Sequence, residues 1–344
     1  MSFQAMIAKT LLKLPESWLV RLSGGRPVEI GGRTLDPYFQ FLAHGASRQP
    51  PMSSLDPVTA RAASADALQM FAPPADPNVS TEDFTLPAHG RDIPVRLYRP
   101  EAQDADVPMM VYMHMGGGVI GDLEICHRFC EMLTIAMRAP VLSVDYRLAP
   151  EHKFPAGLQD CIFAYEWAVN NAETYGAPAG RVAIGGDSMG GNFTAIIAQE
   201  MQRQHKPLPA LQLMIYPATE IESDRPSRTL YGETYPLSSD TMEWFMGHYV
   251  PEGHDRNDLQ MSPGRAADLS GLPSAILVTA GFDPLCDEGE AYAKRLEAAG
   301  VETIFKCYET LAHGFTAFTK VSPAANAACL EIAKIVRDTY KSNS

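Results

Sequence analysis

Cysteine, positive charge and long apolar runs are all scarce in this chain of 344 residues. Six cysteines are too few for a disulfide scaffold at this length, so we expect reduced, buried thiols. The formal charge of −13, from 28 basic and 41 acidic residues, disfavours nucleic acid and anionic membranes as partners, because both bind clustered Lys and Arg. No apolar run approaches the length of a membrane span.

The amino-terminal stretch MSFQAMIAKTLLKLPESWLV lacks the features of a secretory leader. It is amphipathic, it is interrupted by Lys9 and Lys13, and it has neither a continuous apolar core nor a small-residue cleavage site. We therefore expect a soluble, cytoplasmic protein.

A metal site is not expected either. Cys126, His127 and Cys130 lie close together, but no second Cys/His pair completes a ligand set. Packing on a helix face is the favoured interpretation of these side chains.

Extended segments alternate with helical stretches along most of the chain. The predicted strands are 91–100, 107–114, 139–146, 181–188, 211–217, 274–283 and 302–309. Continuous apolar strands are typical of sheets that are buried on both faces, and a final helix is predicted over 323–341. The sequence therefore predicts an α/β fold with a mostly parallel sheet and helices on both faces.

Two segments do not fit this alternation. Residues 1–80 read as helical pieces separated by Gly and Pro, and 218–273 is too long for an ordinary connection between sheet elements. The second segment contains the helical stretch SSDTMEWFMGHYV. We predict that 1–80 and an insertion at about 218–273 form a helical cap over a catalytic domain spanning 81–344.

A candidate nucleophile lies in the stretch IGGDSMGGN. Gly186-Asp187-Ser188-Met189-Gly190 has the Gly-x-Ser-x-Gly pattern, and it falls where an apolar strand ends and a helical stretch begins. Such a turn exposes the serine hydroxyl, and the flanking glycines keep neighbouring chain away from it. The alternative is a glycine-rich turn with a capping serine, which the strand-to-helix context disfavours.

A serine nucleophile requires a base and a carboxylate that orients the base. His313 follows the last predicted strand, and Asp283 ends the strand before it. Both lie with Ser188 at carboxyl ends of sheet strands, where α/β proteins build their sites. The order Ser, Asp, His is that of α/β-hydrolases. His152, in a loop, is the best substitute base.

The glycine-rich stretch HMGGGVIGD follows a predicted strand. When a serine attacks an ester carbonyl, aimed N–H donors must stabilise the oxyanion, and backbone approaches a substrate closely only where side chains are absent. We predict that the amides of Gly116, Gly117 and Met189 are these donors and that His114 holds the loop by hydrogen bonding. A phosphate-binding loop is disfavoured, because no Lys-Ser/Thr follows and the spacing does not fit a dinucleotide site.

Five ordered motifs between about residues 84 and 320 resemble those of the bacterial hormone-sensitive-lipase-like esterases, or family IV carboxylesterases, in the α/β-hydrolase superfamily. They are HMGGGVIGD, VDYRLAPEHKFPA, GGDSMGGN, DPLCDEG and HGF. The resemblance implies an α/β-hydrolase fold with an eight-stranded sheet and a helical cap. It also implies carboxylester hydrolysis without a cofactor, with Ser188, Asp283 and His313 as the catalytic triad.

The chain departs from the family pattern beside the predicted site. The family pattern has three glycines and an aromatic residue after the histidine, whereas here Met115 takes the first glycine position and Gly118 the aromatic one. Met189 replaces an alanine and Lys153 a proline. These changes are expected to alter the shape of the pocket while the oxyanion amides persist.

The substrate is expected to be a small-molecule ester with a short to medium acyl chain. We predict that it contacts Met115, Gly118, Asp187, Trp244 and Phe245, and that activity rises with pH as His313 loses its proton. Alternatives are a non-catalytic ligand-binding protein on the same fold, or an amidase, thioesterase or lactonase with the same triad. The strand ETIFKCYE is a candidate sheet edge for a homodimer.

Overall fold

An eight-stranded sheet forms the centre of the molecule in the computed structural model, which describes residues 10–71, 74–88 and 90–342. The first nine residues of the predicted cap segment lie outside this part of the chain. The strands of the sheet are β3 (Val79–Ala88), β4 (Arg91–Pro100), β5 (Met109–Met113), β6 (Val141–Val144), β7 (Val182–Asp187), β8 (Gln212–Ile215), β9 (Ala275–Phe282) and β10 (Thr303–Ala312).

The sheet is parallel except at one edge. Its spatial order is β10-β9-β8-β7-β5-β6-β4-β3, in which β3 pairs antiparallel with β4, and β4 antiparallel with β6. All the predicted strands are present, so the predicted α/β fold with a mostly parallel eight-stranded sheet is confirmed. Strand β3 escaped prediction from residue pattern because it is an edge strand in which only Leu86 is buried.

Helices cover both faces of this sheet. They are α4 (His127–Met137), α5 (Ala156–Asn171), α6 (Met189–Arg203), α9 (Cys286–Ala298) and α10 (Pro323–Ser342). Successive residues of β5 belong to different cores: Val111 to the core that includes residues of α5, α6 and α9, and Tyr112 to the core that includes residues of α4 and α10. This alternation explains why β5 is apolar at every position.

The remaining elements lie in the two segments that the sequence sets apart. The first contains α1 (Glu16–Leu22), a ribbon of β1 (Glu29–Ile30) and β2 (Arg33–Thr34), α2 (Pro37–Ala46) and α3 (Pro57–Phe71). The second contains α7 (Pro226–Leu230) and α8 (Ser239–Tyr249). In α8 the Ser238 hydroxyl caps the helix by accepting from Thr241 N. None of the helices in the described ranges has the length and apolar character needed to cross a bilayer.

Candidate active site

Ser188 occupies the sharp turn between β7 and α6. Its φ of 55° and ψ of −113° are unusual for a residue with a side chain, and this strained backbone presents the hydroxyl at the carboxyl edge of the sheet. The turn requires glycine beside the serine, since a Cβ at Gly190 would lie 1.9 Å from Met113 O. A Cβ at Gly186 would lie 2.4 Å from the Gly190 carbonyl. The local sequence thus fixes the sharp strand-to-helix turn at which we predict the nucleophile.

The three side chains predicted as a triad form a continuous hydrogen-bonded chain. Ser188 Oγ lies 2.9 Å from His313 Nε2, and His313 Nδ1 lies 2.7 Å from Asp283 Oδ2. Asp283 directly follows β9 and His313 directly follows β10, so parallel neighbouring strands deliver both to one edge. All three residues are buried or nearly so, with Asp283 fully inaccessible.

The carboxylate of Asp283 is itself held in place. Its second oxygen, Oδ1, accepts a hydrogen bond of 2.9 Å from Leu285 N. The imidazole of His313 is also packed, because its centroid lies 4.8 Å from that of the Tyr216 ring. The rival base His152 is exposed and does not line the central cavity.

The glycine loop supplies unpartnered amides beside the nucleophile. Gly116, Gly117 and Met189 all line the same cavity as Ser188 and His313. Within the described part of the chain, the amide N–H groups of these three residues donate to no protein acceptor. Free donors on residues that line one cavity are the kind of group that the predicted oxyanion site needs.

His114 anchors the loop from below. Its ring stacks on Tyr146 at 4.2 Å, its Nδ1 lies 2.7 Å from Met115 O, and the Tyr146 hydroxyl donates to His114 O at 2.8 Å. Burial lowers the pKa of His114 to about 4, although the hydrogen bond to Met115 O opposes the shift. The imidazole is therefore neutral at neutral pH and acts as a hydrogen-bond donor to the loop.

A cavity of about 1090 Å³ opens above these groups. Its walls are mostly apolar and come from α2, α3, the segment 218–246 and the edge of the sheet. Met115 and Phe245, two of the predicted substrate contacts, line it, and the Met115 sulfur lies beside Gly314, next to His313.

Three residues that we predicted as substrate contacts do not line the cavity. Gly118 is covered by the ring of Tyr249, and Trp244 packs on Phe245 while its indole N–H donates to Leu55 O at 3.1 Å. Asp187 points below the serine instead. Its Oδ2 accepts from Thr316 Oγ1 at 2.8 Å and from Tyr216 OH at 3.1 Å, and burial raises its pKa.

Two residues that contact the glycine loop were not found from sequence. The Tyr249 ring lies against Gly118, and Arg61 of α3 donates to Val119 O at 2.7 Å and to Ala149 O at 2.6 Å. Arg61 also pairs with Glu151. The glycine at position 118 was the available signal for Tyr249, because a missing ring leaves space that another segment must fill. No sequence signal marked Arg61.

The Cys126/His127/Cys130 cluster is tied into the fold by hydrogen bonds. Cys126 Sγ lies 3.2 Å from Ser143 Oγ, and His127 Nδ1 lies 3.0 Å from Tyr98 OH. Both cysteines are buried free thiols. These contacts agree with packing on α4.

Comparison with known proteins places this site in a family. The family described as alpha/beta hydrolase fold matches residues 110–317. Carboxylic ester hydrolase LipN of Mycobacterium tuberculosis is 37% identical over 325 residues, which cover 92% of this chain and 86% of that protein. Ethyl acetate hydrolase of Pseudomonas putida is 36% identical over 284 residues, which cover 81% of this chain and 89% of that protein.

A solved structure gives the same result. An ester hydrolase from the metagenome of Lake Arreo, complexed with a derivative of bipyridine phosphonate, superposes with a TM-score of 0.84 at 38% identity. The match covers 89% of this chain and 99% of that one. The chain therefore belongs to the α/β-hydrolase family and, within it, to the hormone-sensitive-lipase-like esterases; it is a carboxylic ester hydrolase. The family and enzyme class predicted from sequence are confirmed.

Proposed function

We propose that the protein hydrolyses esters of short- to medium-chain carboxylic acids through an acyl-enzyme on Ser188. The observation that carries this proposal is the hydrogen-bonded chain Ser188–His313–Asp283, which opens onto a cavity lined by the free amides of Gly116, Gly117 and Met189. Groups suited to act as nucleophile, base, orienting carboxylate and oxyanion donors thus lie together, which supports the proposal.

In the acylation step, Ser188 Oγ attacks the ester carbonyl and its proton passes to His313 Nε2, 2.9 Å away. Asp283 holds the imidazole through Nδ1 and stabilises the imidazolium that forms. The carbonyl oxygen becomes an oxyanion on the amides of Gly116, Gly117 and Met189. As the tetrahedral adduct collapses, the alkoxide leaves with the proton from His313, and Ser188 keeps the acyl group.

In deacylation, water replaces the alcohol. His313 removes a proton from the water as its oxygen attacks the acyl carbonyl, a second oxyanion forms on the same amides, and Ser188 Oγ leaves with the proton from His313. The products are the carboxylic acid and free enzyme.

The proposed acyl range is supported by the cavity. Its apolar walls and its volume of about 1090 Å³ suit a hydrocarbon chain, and pockets for small molecules typically measure roughly 300–1,000 Å³. Met115, Phe245 and the helices α2 and α3 enclose this space. We propose that the amino-terminal segment and the insertion 218–273 act together as the cap.

The test is a set of initial rates on nitrophenyl esters of graded acyl length, run with wild type, Ser188→Ala and Asp283→Asn. We expect the rate to peak at short to medium chains, Ser188→Ala to abolish turnover, and Asp283→Asn to lower kcat by about 10⁴. Full turnover by Ser188→Ala would disprove the proposal. A maximum on long-chain triglyceride emulsions would disprove the acyl range.

The same experiment separates the alternatives. A non-catalytic ligand-binding protein on this fold would show no turnover, yet each member of the triad is in hydrogen-bonding position. Amides, thioesters and lactones tested beside the esters would show which leaving group is preferred.

We further propose a cytoplasmic location and a homodimer. The six cysteines are all free thiols, which suits a reducing compartment, and β10 forms a sheet edge with Ile304 partly exposed. Cell fractionation tests the location. Light scattering at several protein concentrations tests the dimer, and a monomer mass throughout would exclude it.

A further inference from the structure

The glycine loop is covered by two aromatic rings from the insertion helix α8. An added Cβ at Gly117 would lie 2.3 Å from the Phe245 ring, and one at Gly118 would lie 2.5 Å from the Tyr249 ring. Phe245 and Tyr249 are four residues apart and therefore lie on one face of the helix. The rings occupy the space that side chains on the loop would otherwise fill.

The two rings differ in what else they touch. Phe245 lines the cavity, so its removal would change substrate contacts as well as the loop. Tyr249 does not line the cavity, is almost fully buried, and packs against Gly118 and Phe154. An effect of Tyr249 on turnover would therefore not arise from direct contact with the substrate.

Tyr249 is held firmly enough to act as a support. Phe154 N donates to Tyr249 O at 3.0 Å, and the Phe154 ring packs on the Tyr249 ring with centroids 5.9 Å apart. Lys153 Nζ donates to Val250 O, at the end of α8, at 3.1 Å. Lys153 is one of the positions where the chain departs from its family pattern, and here it fixes the helix end that carries Tyr249.

The loop is bound to the same support. Gly118 O accepts from Ala149 N at 2.8 Å, and Ala149 belongs to the segment that also provides Phe154. Gly118 is therefore held by a backbone hydrogen bond and also packs against the Tyr249 ring. The preceding residues, Gly116 and Gly117, carry two of the proposed oxyanion amides.

We infer that Tyr249 is a positioning residue for the oxyanion amides: its ring, delivered by α8, takes the place of a side chain at position 118 and fixes the loop of Gly116 and Gly117. This inference rests on the proposed function of those amides. The cap helix is then part of the support for catalysis, in addition to enclosing the substrate.

The first experiment compares Tyr249→Ala with Tyr249→Phe. We expect Tyr249→Ala to lower kcat by about 10- to 100-fold with KM changed less than about threefold, because misplaced donors weaken the transition state more than the ground state. Inhibition by a trifluoromethyl ketone, which forms an oxyanion adduct, should weaken in parallel. Tyr249→Phe keeps the ring and should restore kcat to within about threefold of wild type.

Tyr165→Ala is the matched control for a purely structural loss. Tyr165 is a buried tyrosine of α5 whose hydroxyl donates to Pro207 O, beyond the end of α6. Tyr165→Ala should lower Tm but should not lower kcat as much as Tyr249→Ala does, when rates are measured below the Tm of each variant. Equal kcat for Tyr249→Ala and Tyr165→Ala would overturn the inference. Where Tyr249→Ala does not fold, Tyr249→Leu replaces it with the same expected direction.

A double-mutant cycle tests the contact itself. Gly118 has a φ of +73°, so Gly118→Ala carries backbone strain in any background, but the clash with the Tyr249 ring exists only when the ring is present. We compare the fold reduction in kcat that Gly118→Ala causes in each background. This reduction should be at least about ten times larger in wild type than in Tyr249→Ala. The same reduction in both backgrounds would contradict the proposed contact.

Ser188→Ala, assayed beside these variants, keeps the two proposals separable. A wild type that turns over esters and loses activity in Ser188→Ala, but is insensitive at Tyr249, overturns only the positioning role. A wild type without ester turnover removes the proposed function and this inference with it.

Discussion

Two glycine-containing turns meet at the active site, and they are held in place in different ways. The nucleophile turn and the glycine loop follow the paired strands β7 and β5. In the first, a Cβ at Gly190 would collide with the Met113 carbonyl, which is sheet backbone. In the second, a Cβ at Gly117 or Gly118 would collide with the rings of Phe245 and Tyr249. Backbone in a sheet cannot move aside, whereas a ring on α8 can.

This difference implies that substitutions in the two turns affect different properties of the protein. A substitution in the nucleophile turn should disturb the sheet and therefore folding. A substitution at Gly117 or Gly118 should displace α8 and the proposed oxyanion amides, and therefore reduce turnover in a folded protein. The following changes test that distinction.

The largest effect is expected for Gly190→Ala. The added methyl group would lie 1.9 Å from Met113 O, so β5 and α6 would have to separate. We expect a loss of at least about 4 kcal/mol in the free energy of unfolding, measured by urea denaturation, or failure to accumulate soluble protein. A variant as stable as wild type would contradict the claim that this turn is held by sheet backbone that cannot move aside.

Gly117→Ala is expected to act mainly on turnover. The methyl group would push into the Phe245 ring at a position whose φ is +61°, so the loop must shift although its amide is retained. We expect kcat to fall by about 10²–10³, as when an oxyanion donor is lost, with a stability cost of about 1–3 kcal/mol. Steady-state kinetics and thermal unfolding measure the two effects. Unfolding without a loss of kcat would show that the loop behaves like the nucleophile turn.

His114, which holds the glycine loop by hydrogen bonding, should make the free energy of unfolding depend on pH. Burial lowers the pKa of His114 from 6.5 to about 4, so between these values the unfolded state takes up a proton that the folded state does not. Stability should therefore fall as the pH falls through this window, by up to roughly 3 kcal/mol.

Asp145 contributes a slope of the opposite sign, because burial raises its pKa to about 6 and its folded state retains a proton there. Comparison of wild type with His114→Gln isolates the histidine. The variant should lose less free energy of unfolding than wild type between pH 7 and pH 4.5. An identical loss in both proteins would rule out His114 as the source.

The smallest change in stability is expected at a glycine whose added Cβ would contact neither backbone nor a ring. Gly247 lies within α8, is exposed, and has open space where a Cβ would be. Gly247→Ala should stabilise the protein by about 0.5–1 kcal/mol, because alanine loses less backbone entropy in a helix. Thermal unfolding measures the gain, and kcat should stay unchanged.

The sequence predicted the part of the molecule that the sheet determines. Continuous apolar strands, the strand-to-helix turn at Ser188 and the strand-end positions of Asp283 and His313 follow from local pattern and from the rule that parallel strands end at one edge. The edge strand β3 was not predicted because it buries little, and strand periodicity depends on burial.

The contacts made by α8 and by Asp187 were less accessible to prediction. Phe245 and Trp244 are adjacent in one helix, but only the orientation of α8 decides that Phe245 faces the cavity and Trp244 faces Leu55. The inward orientation of Asp187 likewise depends on distant hydroxyls, those of Tyr216 and Thr316. Such choices are made by tertiary packing between segments far apart in the chain.

The origin of the cavity walls also bears on how the specificity of this enzyme can change. The reacting groups end sheet strands, whereas the walls come largely from α2, α3 and the segment 218–246. Random mutagenesis of those walls, which include Phe245 but not Tyr249, should yield altered acyl preferences at little cost in soluble expression. Natural selection can act in the same way, because substitutions in the walls can change substrate preference while the proposed nucleophile and its turn stay unchanged.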